Sequence, residues 1–204
     1  MTGRWLDATM IGCGIALLVA VLTGSMLLAD NPGEMLTRNT VRLSLAWYAV
    51  ALLLMMRLRP ADWPTTSGEG TSARGRLARW CWTWGIVCFL VHLGMAFHYY
   101  HHWSHAHAFE HTREVGGIGE GIYVSYFFTW LWIGDAVWWW VRPQQYAARP
   151  AWIDRSLHGF MLFIVFNGMV VFESGAIRWA GAVMFAALAG AWFAVRRLPE
   201  RQLT

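Results

Sequence analysis

Long apolar runs and short polar segments alternate along the chain. Six runs approach the roughly 20 apolar residues that an α-helix needs to cross a bilayer core of about 30 Å. They cover residues 8–29, 41–56, 80–102, 118–141, 157–172 and 177–195. None keeps the strict apolar–polar alternation of a half-buried strand. Lipid offers the backbone no hydrogen-bonding partner, so a helix, which satisfies its own N–H and C=O groups, is the expected element. The fold class read from this pattern is all-α: one polytopic transmembrane helix bundle of six spans, filling 1–204 as a single membrane domain. The second and fifth runs are short, which predicts tilt or local thinning of the bilayer.

The polar segments read as connections. Residues 57–79 hold Pro60, Pro64, Thr65, Thr66, Ser67, Gly68, Gly70 and Gly75, the composition of a flexible loop. Asn31-Pro32-Gly33 is a turn. Gly116, Gly117, Gly119 and Gly121 form a loop before the fourth run. No strand precedes these glycines, so they are not a dinucleotide fingerprint. The first run is longer than a signal-peptide core and lacks a clean small-residue cleavage site, so it reads as a retained helix.

Composition agrees with a lipid environment. Hydrophobic residues are 57% and charged residues 14%, against about 25% charged in a soluble domain. Every one of the 16 basic residues is Arg, and the net charge is +4. These arginines sit between the apolar runs and not along one polar face, which argues against nucleic acid and for membrane topology. With both termini cytoplasmic, only Arg38, Arg42, Arg113 and Arg178 fall outside and the other twelve fall inside. That is the asymmetry expected of an inner-membrane protein. Trp80, Trp82 and Trp84, then Trp138, Trp139 and Trp140, mark the inner headgroup zone; Tyr99, Tyr100 and Trp103 mark the outer one. The three cysteines, Cys13, Cys81 and Cys88, lie in apolar runs without a C-x-x-C spacing and read as small hydrophobes.

The chemistry is concentrated in histidine. Seven of the eight His lie between His92 and His111. At 100° per residue, His98, His101, His102 and His105 stand at i, i+3, i+4 and i+7 and share one helical face. Imidazoles four residues apart on a helix can share one metal ion. Glu120 and Glu173 fall at the same membrane depth and are candidate completing ligands. The expected cofactor is a transition metal ion, Zn, Fe or Cu. His107 and His111 form a further i, i+4 pair on a different face if the helix persists that far. Deeper in the membrane, His92, Asp135, His158 and Asn167 are polar groups expected to face the bundle interior. Asp135 has two expected partners, His158 or Arg142.

His98-x-x-His101-His102 looks like one box of a membrane di-iron hydroxylase, but no further boxes follow. Haem is disfavoured because no second histidine matches His92 or His98 in depth. The stretch His102-Trp-Ser-His105, Glu110-His111-Thr112, Gly119-x-Gly121-x-Tyr123-x-x-Tyr126-Phe127 and Trp132-x-x-Asp135-x-x-Trp138-Trp139 resembles a group of bacterial polytopic inner-membrane proteins over residues 98–140. The resemblance implies a bacterial inner-membrane location and no activity. The leading functional expectation is a His-rich metal site at the outer end of the third helix. The alternatives are a non-catalytic membrane subunit or scaffold, and a small transporter or proton pathway using His92, Asp135 and Asn167. Beyond the lipid bilayer, no partner is implied.

Overall fold

A computed structural model describes residues 3–64 and 71–197. Among these residues the chain forms eight α-helices and no strand. They are α1 (Gly3–Leu27), α2 (Pro32–Met55), α3 (Ala73–Tyr99), α4 (His105–Gly116), α5 (Gly121–Val141), α6 (Pro143–Ala147), α7 (Ala151–Phe166) and α8 (Gly175–Arg197). A 3-10 turn covers Pro60–Asp62, and a π-helical segment, Asn167–Val171, extends α7. Each of the six apolar runs coincides with a helix. Three of them, α1, α3 and α8, are long and apolar enough to cross a membrane. Only 11% of the most apolar stretch of α1, and 11% of that of α8, is buried within the protein. Ile15, Val19 and Leu27 on α1, and Trp179 and Val183 on α8, project outward uncovered. An apolar helix bare on most of its circumference suits lipid, not water.

The most extensive packing joins α2 to α3. It rests on small side chains. Thr37 and Thr40 on α2 are buried, and each donates its hydroxyl to a carbonyl one turn back, Gly33 and Leu36. Ser44 instead donates 2.8 Å across to the Gly85 carbonyl of α3. Gly85 must be glycine: a Cβ there would stand 2.6 Å from the Trp132 ring of α5. Around this contact Tyr48, Trp82 and Trp132 pack with ring centres 5.2 to 5.6 Å apart. All three are at most 1% exposed, and they form the centre of the core. Trp84 ties α3 to α1 by donating its indole N–H to the Met10 carbonyl at 3.0 Å. It lies so close to Gly14 that any side chain there would strike it.

The two ends of the bundle differ in chemistry. At one end, Asp7 of α1 pairs with Arg76 at 2.7 Å and accepts from the Trp80 indole at 2.8 Å. Arg79 lies 3.9 Å over the Trp140 ring, and Trp140 donates to Thr83 at 2.8 Å. The starts of α1 and α3 and the end of α5 therefore share an arginine- and tryptophan-rich end. At the opposite end Asn39 of α2 donates to Ser25 of α1 at 2.9 Å, and Tyr99 packs against Gly33.

Two expectations change here. First, the expected flexible loop 57–79 is fixed at both sides. Asp62 accepts from the Arg59 N–H at 2.9 Å and the Ser72 hydroxyl at 2.6 Å, and pairs with Arg74 at 3.4 Å. Burial raises the Asp62 carboxyl, but these three donors outweigh it and hold it below its usual value. Helix α3 already begins at Ala73, capped by the Ser72 hydroxyl. Thr65, Thr66, Ser67, Gly68 and Gly70 lie outside the described residues, as do Met1, Thr2 and residues 198–204. Second, the third helix ends at Tyr99, so the rod expected to run through residue 105 is broken.

Candidate functional site

The break has a local cause. Ser104 caps a new helix, accepting a hydrogen bond from the His107 N–H at 3.3 Å. That is the role for which serine is favoured at a helix start. The far end of α4 is closed by Gly117 at φ 79°, whose N–H donates to the Arg113 carbonyl at 2.8 Å. Between α3 and α4 the chain reverses through His102 at φ 48° and Trp103 at φ 60°. Two successive non-glycine residues in the left-handed region cost on the order of 1–3 kcal/mol each.

The reversal rearranges the histidines. His98, His101, His102 and His105 do not share a helical face, because α3 stops before His101 and α4 starts at His105. Instead, residues of the turn face residues of α4. The His101 and His111 rings lie 5.4 Å apart between centres, and those of His102 and His107 6.3 Å apart. His107 and His111 are i, i+4 on α4, so the two cross-turn pairs are neighbours. Burial, then the charges of His111, His107 and His102, hold the His101 imidazole below its usual value. A lowered value keeps it neutral, the form that binds metal.

The other candidates go elsewhere. His98 sets its ring edge-to-face against Tyr99. His105 has Nδ1 3.0 Å from the Tyr126 hydroxyl and Nε2 3.5 Å from that of Tyr123, so both ring nitrogens face α5. It clasps α4 onto α5. Glu120 is exposed at the start of α5. Glu173 lines a separate cavity with Arg38 and Arg42. Among the described residues no three His, Cys, Asp or Glu side chains stand together in an arrangement that could hold a metal ion. The unit that does form is the pair. Two imidazoles on one tetrahedral ion, with nitrogens about 2.0–2.1 Å from it, place their ring centres about 5.3 Å apart. The His101–His111 separation fits that value.

The arginine-rich end carries a second polar cluster. Asp135 pairs with neither His158 nor Arg142. Its carboxylate, 0% exposed, accepts from Arg149 at 2.7 Å and from the Tyr146 hydroxyl at 3.0 Å. Arg149 wins because the short helix α6 returns the chain over the end of α5. There the guanidinium lies 3.9 Å over the Tyr146 ring, itself stacked on Trp139 at 4.7 Å. Arg149 also pairs with Asp154, and His158 lies 3.5 Å from the same Asp154 oxygen. The His158 hydrogen bond, with help from Arg149, holds the Asp154 carboxyl well below its usual value despite burial. Burial and the Asp135 charge push the Tyr146 phenol up, so its hydroxyl remains a donor. Arg149 was not legible as a partner, since it lies 14 residues from Asp135 beyond a helix too short to show periodicity. This cluster borders a cavity of about 620 Å³.

His92, Asp135 and Asn167 each have their own partner. His92 Nδ1 lies 2.8 Å from the Thr37 carbonyl, and the Asn167 amide donates 2.8 Å to the Phe163 carbonyl. Asp135 is held as above. The structure does not bring the three into one polar path.

Comparison with protein-family models, with curated proteins and with solved structures returned no match.

Proposed function

We propose that the chain is a six-span integral membrane protein whose outer hairpin binds a divalent transition-metal ion through His101, His102, His107 and His111. One observation carries the reading: two histidine pairs meet across a strained turn, and their α4 members are four residues apart. Imidazole-only ligation suits Zn²⁺ and Cu²⁺ better than the hard cations. Bringing both pairs onto one ion requires the His102–Trp103 turn to shift. His98, Glu120 and Glu173 are not ligands in this reading, and His105 is a positioning clasp.

Support for six spans comes from helix lengths. At 1.5 Å per residue, the 21 residues of α5 reach about 31 Å, and α7 with its π segment reaches about as far. Their many aromatic residues and the charges on α2 lower the apparent hydropathy without shortening the helices. In the sequence, twelve arginines fall in the segments assigned inside and four in those assigned outside, a bias that supports cytoplasmic termini. The resemblance over residues 98–140 supports a bacterial inner membrane.

The test is metal content. Untagged protein, purified in detergent, is dialysed against Zn²⁺ and then against metal-free buffer, and zinc is counted by mass spectrometry. The expected result is one zinc per chain, lost in His107→Ala/His111→Ala and kept in His98→Ala/Glu173→Gln. No retained zinc, or equal retention in both double variants, overturns the proposal.

A further inference from the structure

The cavity of about 620 Å³ at the arginine- and tryptophan-rich end opens between the end of α2, the start of α7 and the end of α8. Its charged and titratable lining is Arg149, Asp154, Arg155, His158 and Arg196, with Tyr146 beside them. Most of these groups are already engaged. Arg149 is shared between Asp135 and Asp154, and His158 Nε2 lies 3.5 Å from the same Asp154 oxygen. His158 Nδ1 is sealed from solvent, so it does not reach a ligand in the cavity. The Tyr146 hydroxyl is given to Asp135. Arg155 and Arg196 differ. Both are exposed, and among the described residues neither has a hydrogen bond or an ion pair. Arg196 is held 3.8 Å over the Trp192 ring, a contact that uses the face of the guanidinium and leaves its N–H edge free. The three guanidiniums face two carboxylates, Asp135 and Asp154, so the site carries one net positive charge before His158 is counted.

The remaining lining is largely apolar and runs inward, through Leu52, Met55, Leu162 and Val195. Leu162 lies eleven positions into α7, about 16 Å from the helix start by helical rise. Arg155 lies only four positions in, and Arg196 one position before the end of α8. A charged mouth at the helix ends therefore leads to an apolar floor. Basic pockets between membrane helices hold anionic lipid headgroups in this way. The aromatic wall argues against a stacked nucleobase. Trp139 and Tyr146 stack on each other at 4.7 Å, Arg149 covers Tyr146 at 3.9 Å, and Trp63 leans on both rings. Their faces are occupied, whereas an acyl chain needs only their edges. A free phosphate ester would leave the apolar floor uncovered.

We infer that this cavity binds an anionic glycerophospholipid with a single phosphate, of the phosphatidylglycerol class, its phosphodiester held by Arg155 and Arg196 and one acyl chain lying along Leu52 and Leu162. A zwitterionic phospholipid offers the same phosphate, but its ammonium group cancels the charge that the net positive site attracts. The site uses none of the histidines of the metal hairpin, and its test is run with a chelator present.

The full chain, stripped of lipid in a neutral detergent, is titrated with dioleoyl-phosphatidylglycerol or with dioleoyl-phosphatidylcholine, and bound lipid is counted by native mass spectrometry. Expected is one retained phosphatidylglycerol per chain, at least about tenfold tighter than phosphatidylcholine, since each arginine near a headgroup favours an anionic lipid by about fivefold. Arg155→Gln/Arg196→Gln should abolish that preference and leave weak binding of both lipids. Arg38→Gln/Arg42→Gln, at the opposite end of α2, should keep it. A Cβ at Gly159, on the cavity wall, meets nothing within 4 Å. Gly159→Leu should therefore fill the apolar floor without a clash and weaken both lipids, with both arginines intact. Glycerol phosphate, a headgroup without chains, should not displace the lipid even in large excess. Displacement by it would assign the cavity to a soluble phosphate ester and overturn the inference. So would equal affinity for the two lipids, an unchanged preference in Arg155→Gln/Arg196→Gln, a preference lost in Arg38→Gln/Arg42→Gln, or binding unaffected by Gly159→Leu.

Discussion

Replacing Arg149 with Met tests the ionic cluster at the arginine-rich end. The Asp135 side chain is 0% exposed and that of Arg149 6%, and they meet at 2.7 Å. Removing the guanidinium leaves a buried carboxylate with one remaining donor, Tyr146. Breaking a buried pair from one side costs about 3–5 kcal/mol, because an uncompensated charge stays in a medium of low polarity. That is about two to four powers of ten in the unfolding equilibrium. The Asp154 contact adds little, since that carboxylate is 50% exposed and half-solvated pairs contribute below about 1 kcal/mol. The double variant Asp135→Leu/Arg149→Met removes both charges and should recover most of the loss. The assay is equilibrium unfolding in mixed micelles with increasing SDS, followed by tryptophan fluorescence, which Trp139 reports through its stacking on Tyr146. A cost below about 1 kcal/mol for Arg149→Met, or a double variant no better than the single one, would refute the reasoning.

Gly85→Val should destabilise by about 1–3 kcal/mol, as overpacked cores do, because its Cβ meets Trp132 at 2.6 Å; the same SDS titration measures it. Asp154 and Asp62 have folded-state values below their unfolded ones. Their contribution is full above about pH 4 and is lost as pH falls further, so the carboxylate-dependent fall in the melting midpoint should lie between about pH 4 and 2.5, below any step from His101, whose lowered value costs stability as pH falls through about 6.5. Asp154→Asn should flatten part of that fall. Topology is read with alkaline phosphatase and green fluorescent protein fused after Gly117 and after Arg59. Phosphatase activity at Gly117 and fluorescence at Arg59 are expected, and the reverse pattern would contradict the six-span orientation.

The helices were legible because each is a long apolar run, and that signal does not depend on which neighbour the helix meets. The break at residues 100–104 was also written locally: Ser104 before a short polar helix and Gly117 after it are a helix start and stop. The histidine spacing across them, which fits one continuous helix, masked the signal. Pairing was harder to read. Arg149 meets Asp135 only because α6 folds back, and His105 leaves the cluster only because Tyr123 and Tyr126 come alongside from α5. Such contacts are set by tertiary geometry, which periodicity does not carry. Gly168 and Met169 of the π segment Asn167–Val171 line the cavity beside His92, and no residue there announces a change of helical pitch.

X-ray absorption at the zinc edge of metal-loaded, untagged protein addresses the metal hairpin most directly. The account predicts at least three imidazole nitrogens at about 2.0–2.1 Å, with the imidazole scattering reduced in His107→Ala/His111→Ala and unchanged in His98→Ala. A spectrum dominated by carboxylate or water oxygens, or one unaltered by loss of His107 and His111, would contradict it.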